Sequence, residues 1–257
     1  MPRLAANLSL MFTELDFLDR FGAAARAGFR GVEFLFPYAW PAAEIHSRLE
    51  DAGLQQVLFN ISPGDWDAGE RGLAGLAGRE DDFAHALDEA LAYAETLRCP
   101  RLHAMSGLNG QGARRDVLEA NIEKAALKAA SAGIEILVEP INTFDMPDYF
   151  LSRTEQAADI IAAVGLPNIG LQLDLYHRYR MEGDAEGAIA RYAGIVRHYQ
   201  IAGPPDRGEP IPSDLDVSDL FGRIDASGYK GWVGCEYRPR GRTEDGLAWM
   251  RGVVQHV

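Results

Sequence analysis

Residues 134–140 read Ile-Glu-Ile-Leu-Val-Glu-Pro. A short run rich in Ile, Leu and Val and closed by proline reads as a strand buried on both faces. Such strands belong to parallel sheets. The run ends on a charged side chain, Glu139. Three later runs repeat the arrangement. IGLQLD ends on Asp174, VRHYQIA carries Gln200, and GWVGCEY carries Glu236. Four more strand candidates lie upstream, at Arg3–Leu10, Gly31–Phe36, Gln55–Asn60 and Arg101–Gly107. They join Ile134–Pro140, Ile169–Asp174, Val196–Ala202 and Trp232–Tyr237 to give a predicted set of eight.

Amphipathic stretches separate these runs. After Leu10, Thr13 and Asp16 stand at capping-box spacing, and Phe17, Leu18, Phe21 and Ala25 share one helical face. A left-handed C-cap is expected at Gly28. Glu80–Leu97, Asn121–Ala132 and Thr154–Val164 show the same periodicity, and the last stops at Gly165. Strict strand–helix alternation fits a closed (β/α)8 barrel or an open doubly wound sheet. Eight units in 257 residues favour the barrel. A nucleotide-binding doubly wound sheet would carry a Gly-rich first turn, and SLMFTELD has no glycine. No Pro/Gly/Ser-rich linker interrupts the pattern, so residues 1–257 read as one domain. The stretch from Ile61 to Arg79 is too long for an ordinary βα loop and is placed to cover a site.

Composition narrows the function. A net charge of −13 argues against nucleic acid, because phosphate contacts need clustered Lys and Arg. Two cysteines, Cys99 and Cys235, give no disulfide framework and point to a reducing compartment. The N-terminus lacks the pattern of a signal peptide, and no run reaches the roughly 20 apolar residues of a membrane span. The expected location is the cytoplasm. A homo-oligomer is compatible with the aromatic stretch FPYAW, which core or lid packing explains equally well.

In a barrel, the carboxyl ends of adjacent strands surround one pocket. Three carboxylates gathered there repel and raise one another's pKa unless a cation joins them. Glu139, Asp174, Gln200 and Glu236 therefore read as a divalent metal site, and hard oxygen donors suit Mg²⁺ or Mn²⁺. The competing reading is ion pairs and helix caps. Alternation puts Gln172 with Asp174, and His198 with Gln200, on shared faces. His177, in the segment LYHRYR expected as a loop, is placed to reach a substrate. Arg207, in GPPDRGEP, suits an anion such as a carboxylate. Asn60 and His103 are further substrate-contact candidates, with Asn7 and Glu33 also near strand ends. Two glutamates beside a metal suit an enediolate reaction, in which one removes a proton from one carbon and the other supplies a proton to the next.

The stretches AANLSLMFTE, GFRGVEFLFPY, FNISPGDWDAGERGLA, VEPINTFDMP, LQLDLYHRYRMEG, QIAGPPDRGEP and GWVGCEYRPRGRTEDGL together resemble the hydroxypyruvate isomerase family, within the xylose-isomerase-like superfamily. The resemblance runs the length of the chain. It implies a (β/α)8 TIM barrel with metal ligands at Glu139, Asp174, Gln200 and Glu236, and an acid/base pair at Glu139 and Glu236. It also implies interconversion of hydroxypyruvate and 2-hydroxy-3-oxopropanoate (tartronate semialdehyde). The 2-oxo-tetronate isomerases, which act on a four-carbon acid, are similar throughout. Both groups usually continue after GEP with a Gly-Glu-Ile-Asn-Tyr stretch, where this chain reads IPSDLDVSDLF. If that loop contacts substrate, the departure bears on substrate identity and leaves the metal ligands untouched. Ketose 3-epimerases share the layout but carry histidine where this chain has Gln200. A non-catalytic metal- and ligand-binding barrel is the reading from another class.

Overall fold

The computed structural model describes residues 2–211 and 215–251. Its elements run β1 (Arg3–Asn7), α1 (Phe17–Arg26), β2 (Gly31–Glu33), α2 (Ala42–Ala52), β3 (Gln55–Asn60), α3 (Glu80–Leu97), β4 (Arg101–His103) and α4 (Arg115–Ala129). There follow β5 (Glu135–Val138), α5 (Thr154–Val164), β6 (Ile169–Asp174), α6 (Leu175–Glu182), α7 (Ala185–Tyr192), β7 (Val196–Ile201), α8 (Val217–Ala226) and β8 (Trp232–Cys235). All eight strands pair in sequence order into a closed parallel barrel, and β1 closes on β8 through Arg3↔Trp232 to Ala6↔Cys235. Closure leaves no sheet edge to pair with another chain.

Several strands are shorter than their apolar runs. β1 stops at Asn7, β2 at Glu33 and β4 at His103, yet Leu8, Met11, Phe34 and Ala104 beyond them are buried. The runs continue past the ladder because the loops that follow also pack into the core. Alternation breaks in two places. Two short helices, α6 and α7, follow β6, and a 3₁₀ segment at Thr243–Met250 follows β8. The capping box at Thr13 and Asp16 does not form. α1 begins at Phe17 with Asp16 as N-cap, and no side chain closes the cap. The C-cap is Ala27, one residue early, and Gly28 follows at φ +99.

FPYAW is used within the chain. Trp40 stacks on Phe17 at 4.1 Å, Phe36 packs on Trp66, and the Tyr38 hydroxyl donates to the Asn60 carbonyl at 2.7 Å. Both cysteines are buried and unpaired. Among the described residues, no helix is long and apolar enough to cross a membrane. The segment after GEP falls partly on residues 212–214, outside the described residues; past them, Asp216 caps α8.

Candidate active site

The strand ends meet in one cavity of about 440 Å³, lined by Glu33, Asn60, His103, Glu139, Gln172, His177, Gln200, Arg207 and Glu236, among others. Glu139 lies one residue past β5 and Glu236 one past β8, while Asp174 and Gln200 sit inside β6 and β7. The register pairs Asp174 with Gln200, and Gln172 with His198. The two layers expected from alternation are therefore present.

An amide chain ties the site together. Gln172 Nε2 donates to Glu139 Oε2 at 2.9 Å and to Gln200 Oε1 at 2.6 Å. Gln200 Nε2 donates to Glu33 Oε1 at 2.8 Å. Glu33 also receives Asn7 Nδ2 and His198 Nε2, at 3.1 and 2.7 Å. Ser9 N holds Asn7 Oδ1, so Asn7 turns Nδ2 to Glu33 Oε1; the same oxygen takes Gln200 Nε2, which leaves Gln200 Oε1 to accept from Gln172. Glu33 thus acts as a hub. Gly234 makes room for it, since a Cβ there would lie 2.3 Å from Glu33 Oε1.

Asp174 works at both ends of its carboxylate. Oδ1 accepts the N–H groups of Tyr176 and His177, at 2.8 and 3.3 Å, and so starts α6 directly from the strand. His177 is consequently on α6, not in a loop as its sequence suggested. Asn142 fixes its tautomer. Asn142 Oδ1 accepts from Phe144 N and Asp145 N, so Nδ2 is the atom at 2.6 Å from His177 Nδ1. Nδ2 can only donate, so His177 Nδ1 accepts and the ring proton lies on Nε2. Burial, with Arg207 nearby, pushes the His177 pKa well down and keeps the ring neutral. Nε2–H then stands 3.6 Å from Asp174 Oδ2 and 3.9 Å from Glu139 Oε1.

The charges are deeply desolvated. Burial, then Glu236 and Asp174, push the Glu139 carboxyl well above its usual range. Burial raises Asp174 against the opposing Arg207, and raises Glu236 to about 8 against the same arginine. Arg207 Nη2 lies 2.8 Å from Glu236 Oε1 and 3.5 Å from Asp174 Oδ2. Burial opposes its charge, but Glu236, Asp174 and Glu139 outweigh that and hold it protonated. The Arg207 loop is pinned by paired Gly203–Gly208 bonds and by Arg238 N donating to the Arg207 carbonyl at 2.7 Å. Burial alone drops His103 to about 3, and its Nδ1 lies 3.5 Å from Glu139 Oε2. Asn60 reaches Met105 Sδ at 3.9 Å.

The residues fit a metal. Glu139 Oε1 and Asp174 Oδ2 are buried without a hydrogen-bond partner. Glu139, Asp174 and His177 each offer a ligand atom within 4.8 Å of the others. Buried anionic oxygens without donors are costly unless a cation satisfies them. His177 belongs to this group by distance, but its Nε2 carries a proton and presents a donor instead of a lone pair. Glu33 and Asn7, weaker candidates in the sequence, join the hydrogen-bonded network. Asn142, not singled out there, follows Glu139 by three residues, a spacing that could have drawn notice.

The xylose isomerase-like TIM barrel family profile matches residues 21–253. The 2-oxo-tetronate isomerase of Cupriavidus necator is 50% identical over 255 residues, covering 98% of each chain. The hydroxypyruvate isomerase of Escherichia coli is 42% identical, covering 97% of this chain and 98% of its own. A crystal structure named AP endonuclease, family 2, from Brucella melitensis superposes with a TM-score of 0.96 at 49% identity, covering 99% and 100% of the two chains. The E. coli 3-keto-D-glucoside 4-epimerase superposes at 0.78 with 19% identity over 98% and 99%, a likeness of fold alone. The chain belongs to the xylose isomerase-like TIM barrel family, and within it groups with enzymes named 2-oxo-tetronate and hydroxypyruvate isomerases.

Proposed function

We propose that this enzyme interconverts the aldose- and ketose-type forms of a short hydroxy-oxo acid. Hydroxypyruvate and 2-hydroxy-3-oxopropanoate are the leading pair. The observation that carries the reading is the burial of Glu139 and Glu236 in one cavity, with Arg207 as counter-charge to Glu236. A 2-oxo-tetronate is the second reading, favoured by the name of the 50%-identical relative. Nuclease chemistry on this fold is disfavoured by the net charge of −13 and the carboxylate-rich cavity.

Glu139, Asp174, Gln200 and Glu236 would hold a divalent ion, Mg²⁺ or Mn²⁺ by the hardness of their oxygens. Bound there, it neutralises the buried carboxylates and polarises the substrate carbonyl and adjacent hydroxyl. The protein supplies the rest. Gln172 and Glu33 orient the Gln200 amide, and Arg207 sets the position and charge of Glu236. One glutamate removes a proton from C3 of hydroxypyruvate, giving an enediolate, and the other returns a proton to C2. The C3 hydroxyl proton passes to the C2 oxygen, so the atoms balance. The Nε2–H of His177 is the buried donor for a substrate oxygen. Water is kept from the enediolate by the loop at 61–79, whose Trp66, Gly69 and Arg71 wall the cavity.

The test is turnover of three- and four-carbon oxo acids with Mg²⁺ or Mn²⁺, followed by NMR in deuterated buffer. Deuterium at the carbon that receives the proton is expected. No turnover of either class would sink the reading.

A further inference from the structure

The cavity holds three arginines and an excess of carboxylates, which raises the question of what receives the charge of an acidic substrate. Arg207 is already engaged by Glu236 and Asp174. Arg238 is exposed, and no side-chain bond positions it among the described residues. Arg71 differs from both. Its Nη1 donates to the carbonyls of Trp66 and Glu70, at 2.8 and 2.7 Å. Its guanidinium lies 3.9 Å over the Trp66 ring, and Phe36 backs that ring at 5.3 Å. Two carbonyls and one aromatic face fix the guanidinium plane. No carboxylate pairs with it among the described residues, and Nη2 and Nε stay unbonded.

The loop carrying it is braced. Glu70 pairs with Arg79 and accepts from Asp65 N. Gly72 N donates to the Pro63 carbonyl at 3.0 Å. Gly72 itself sits at φ +125 against β4's far end, where a Cβ would lie 2.3 Å from the Met105 carbonyl oxygen. The loop follows β3, which in the closed ring stands four strands from β7 in either direction. Glu139, Asp174 and Glu236 come from β5, β6 and β8. Glu33, on β2 beside β3, is met by Asn7, His198 and Gln200, whereas Glu139 and Asp174 keep bare oxygens, so the repulsion felt by a substrate carboxylate is strongest on the β5–β6 side.

We propose that Arg71, held flat by Trp66, is the site that receives the carboxylate of the acid substrate. This rests on the oxo-acid reading above. A planar guanidinium whose Nε/Nη2 edge is free matches a carboxylate bidentately. Positioning the acid there turns the reacting carbons toward Glu139 and Glu236. A neutral ketose has no group for this arginine, so Arg71 selects acids.

Arg71→Gln and Arg71→Lys test it, by steady-state kinetics on the oxo acid and by calorimetric titration of D-glycerate, a non-isomerising carboxylate of the same size. Arg71→Gln is expected to raise KM about ten- to a hundred-fold with kcat kept within a few-fold, and to weaken D-glycerate equally. Arg71→Lys should recover part of both. Unchanged D-glycerate affinity in Arg71→Gln overturns the proposal, as does a wild-type protein that binds no D-glycerate. A fall in melting temperature with D-glycerate affinity kept would assign Arg71 to loop stability instead. If wild type turns over no short oxo acid but Arg71→Gln still loses D-glycerate, the carboxylate site stands and the isomerase reading falls.

Discussion

The two ends of the barrel handle charge in opposite ways. At the amino end, Arg101 and Arg197 both approach Glu135, at 3.0 and 3.2 Å, and the Arg3 guanidinium lies 4.5 Å over Trp232. Each of these three arginines faces a carboxylate or an aromatic ring, although Arg101 Nε meets Glu135 as an ion pair without an aligned hydrogen bond. At the carboxyl end, Glu139 and Asp174 each keep one buried oxygen without a donor, and a single arginine serves three carboxylates. One end is balanced, as a structural plug is. The other carries an unfavourable arrangement that persists only because the surrounding fold enforces it, which is the mark of a site.

The largest effects are expected at the carboxyl end. Glu236→Gln and Glu139→Gln are expected to lose about 10²- to 10⁴-fold in kcat. Glu139→Gln should leave the melting temperature of the metal-free protein unchanged, whereas Glu236→Gln should lower it, because buried Arg207 loses its 2.8 Å partner. Each replaces a desolvated carboxyl by a neutral isostere. Near wild-type turnover in either would place the proton-transfer pair elsewhere.

Cation binding should show next. Adding Mg²⁺ or Mn²⁺ to chelator-treated protein is expected to raise the melting temperature, by a free energy of about 2.7 kcal/mol at a hundred times the dissociation constant. Differential scanning calorimetry reads it. Asp174→Asn should abolish most of the shift, whereas Glu135→Gln at the amino end should leave it intact.

Gly234→Ala tests the hub beneath the site. The added methyl has no room beside Glu33, and overpacking of this kind costs about 1–3 kcal/mol. Chemical denaturation should show that cost. Turnover should fall as well, because a displaced Glu33 no longer orients Gln200. A stability loss with full activity would make the Glu33 network structural only.

Legibility followed the same division. β3, β6, α3 and α5 match their sequence bounds, because glycine, proline or a strand-end carboxylate punctuates them. β1, β2 and β4 were read too long, since hydrophobicity reports burial, and buried loops extend those runs. The strand-end side chains were legible because period-two alternation in a barrel forces them inward. Their division of labour was not. A glutamate at a strand end reads the same whether donors meet both its oxygens, as at Glu33, or leave one buried oxygen bare, as at Glu139. His177 was misplaced because LYHRYRME has little amphipathic pattern, and its helix starts on the Asp174 carboxylate. Arg71 was invisible because only the folded loop sets it on Trp66.

The smallest effect belongs to the balanced end. Glu135→Ala removes the shared partner of Arg101 and Arg197, whose side chains are 17% and 33% exposed. Water reaches both arginines, so neither is stranded as a fully buried charge would be. The cost is expected near 1 kcal/mol, between the values for exposed and buried pairs, and is read as a shift in denaturation midpoint. The register pairs Arg101 with Glu135 at the start of β4 and β5, a full strand length from Glu139, so turnover should stay within about two-fold of wild type, since sites that share no partner act nearly independently. A large loss of activity in Glu135→Ala would mean that the plug sets the geometry of the site above it, and the contrast between the two ends would then be one of charge but not of function.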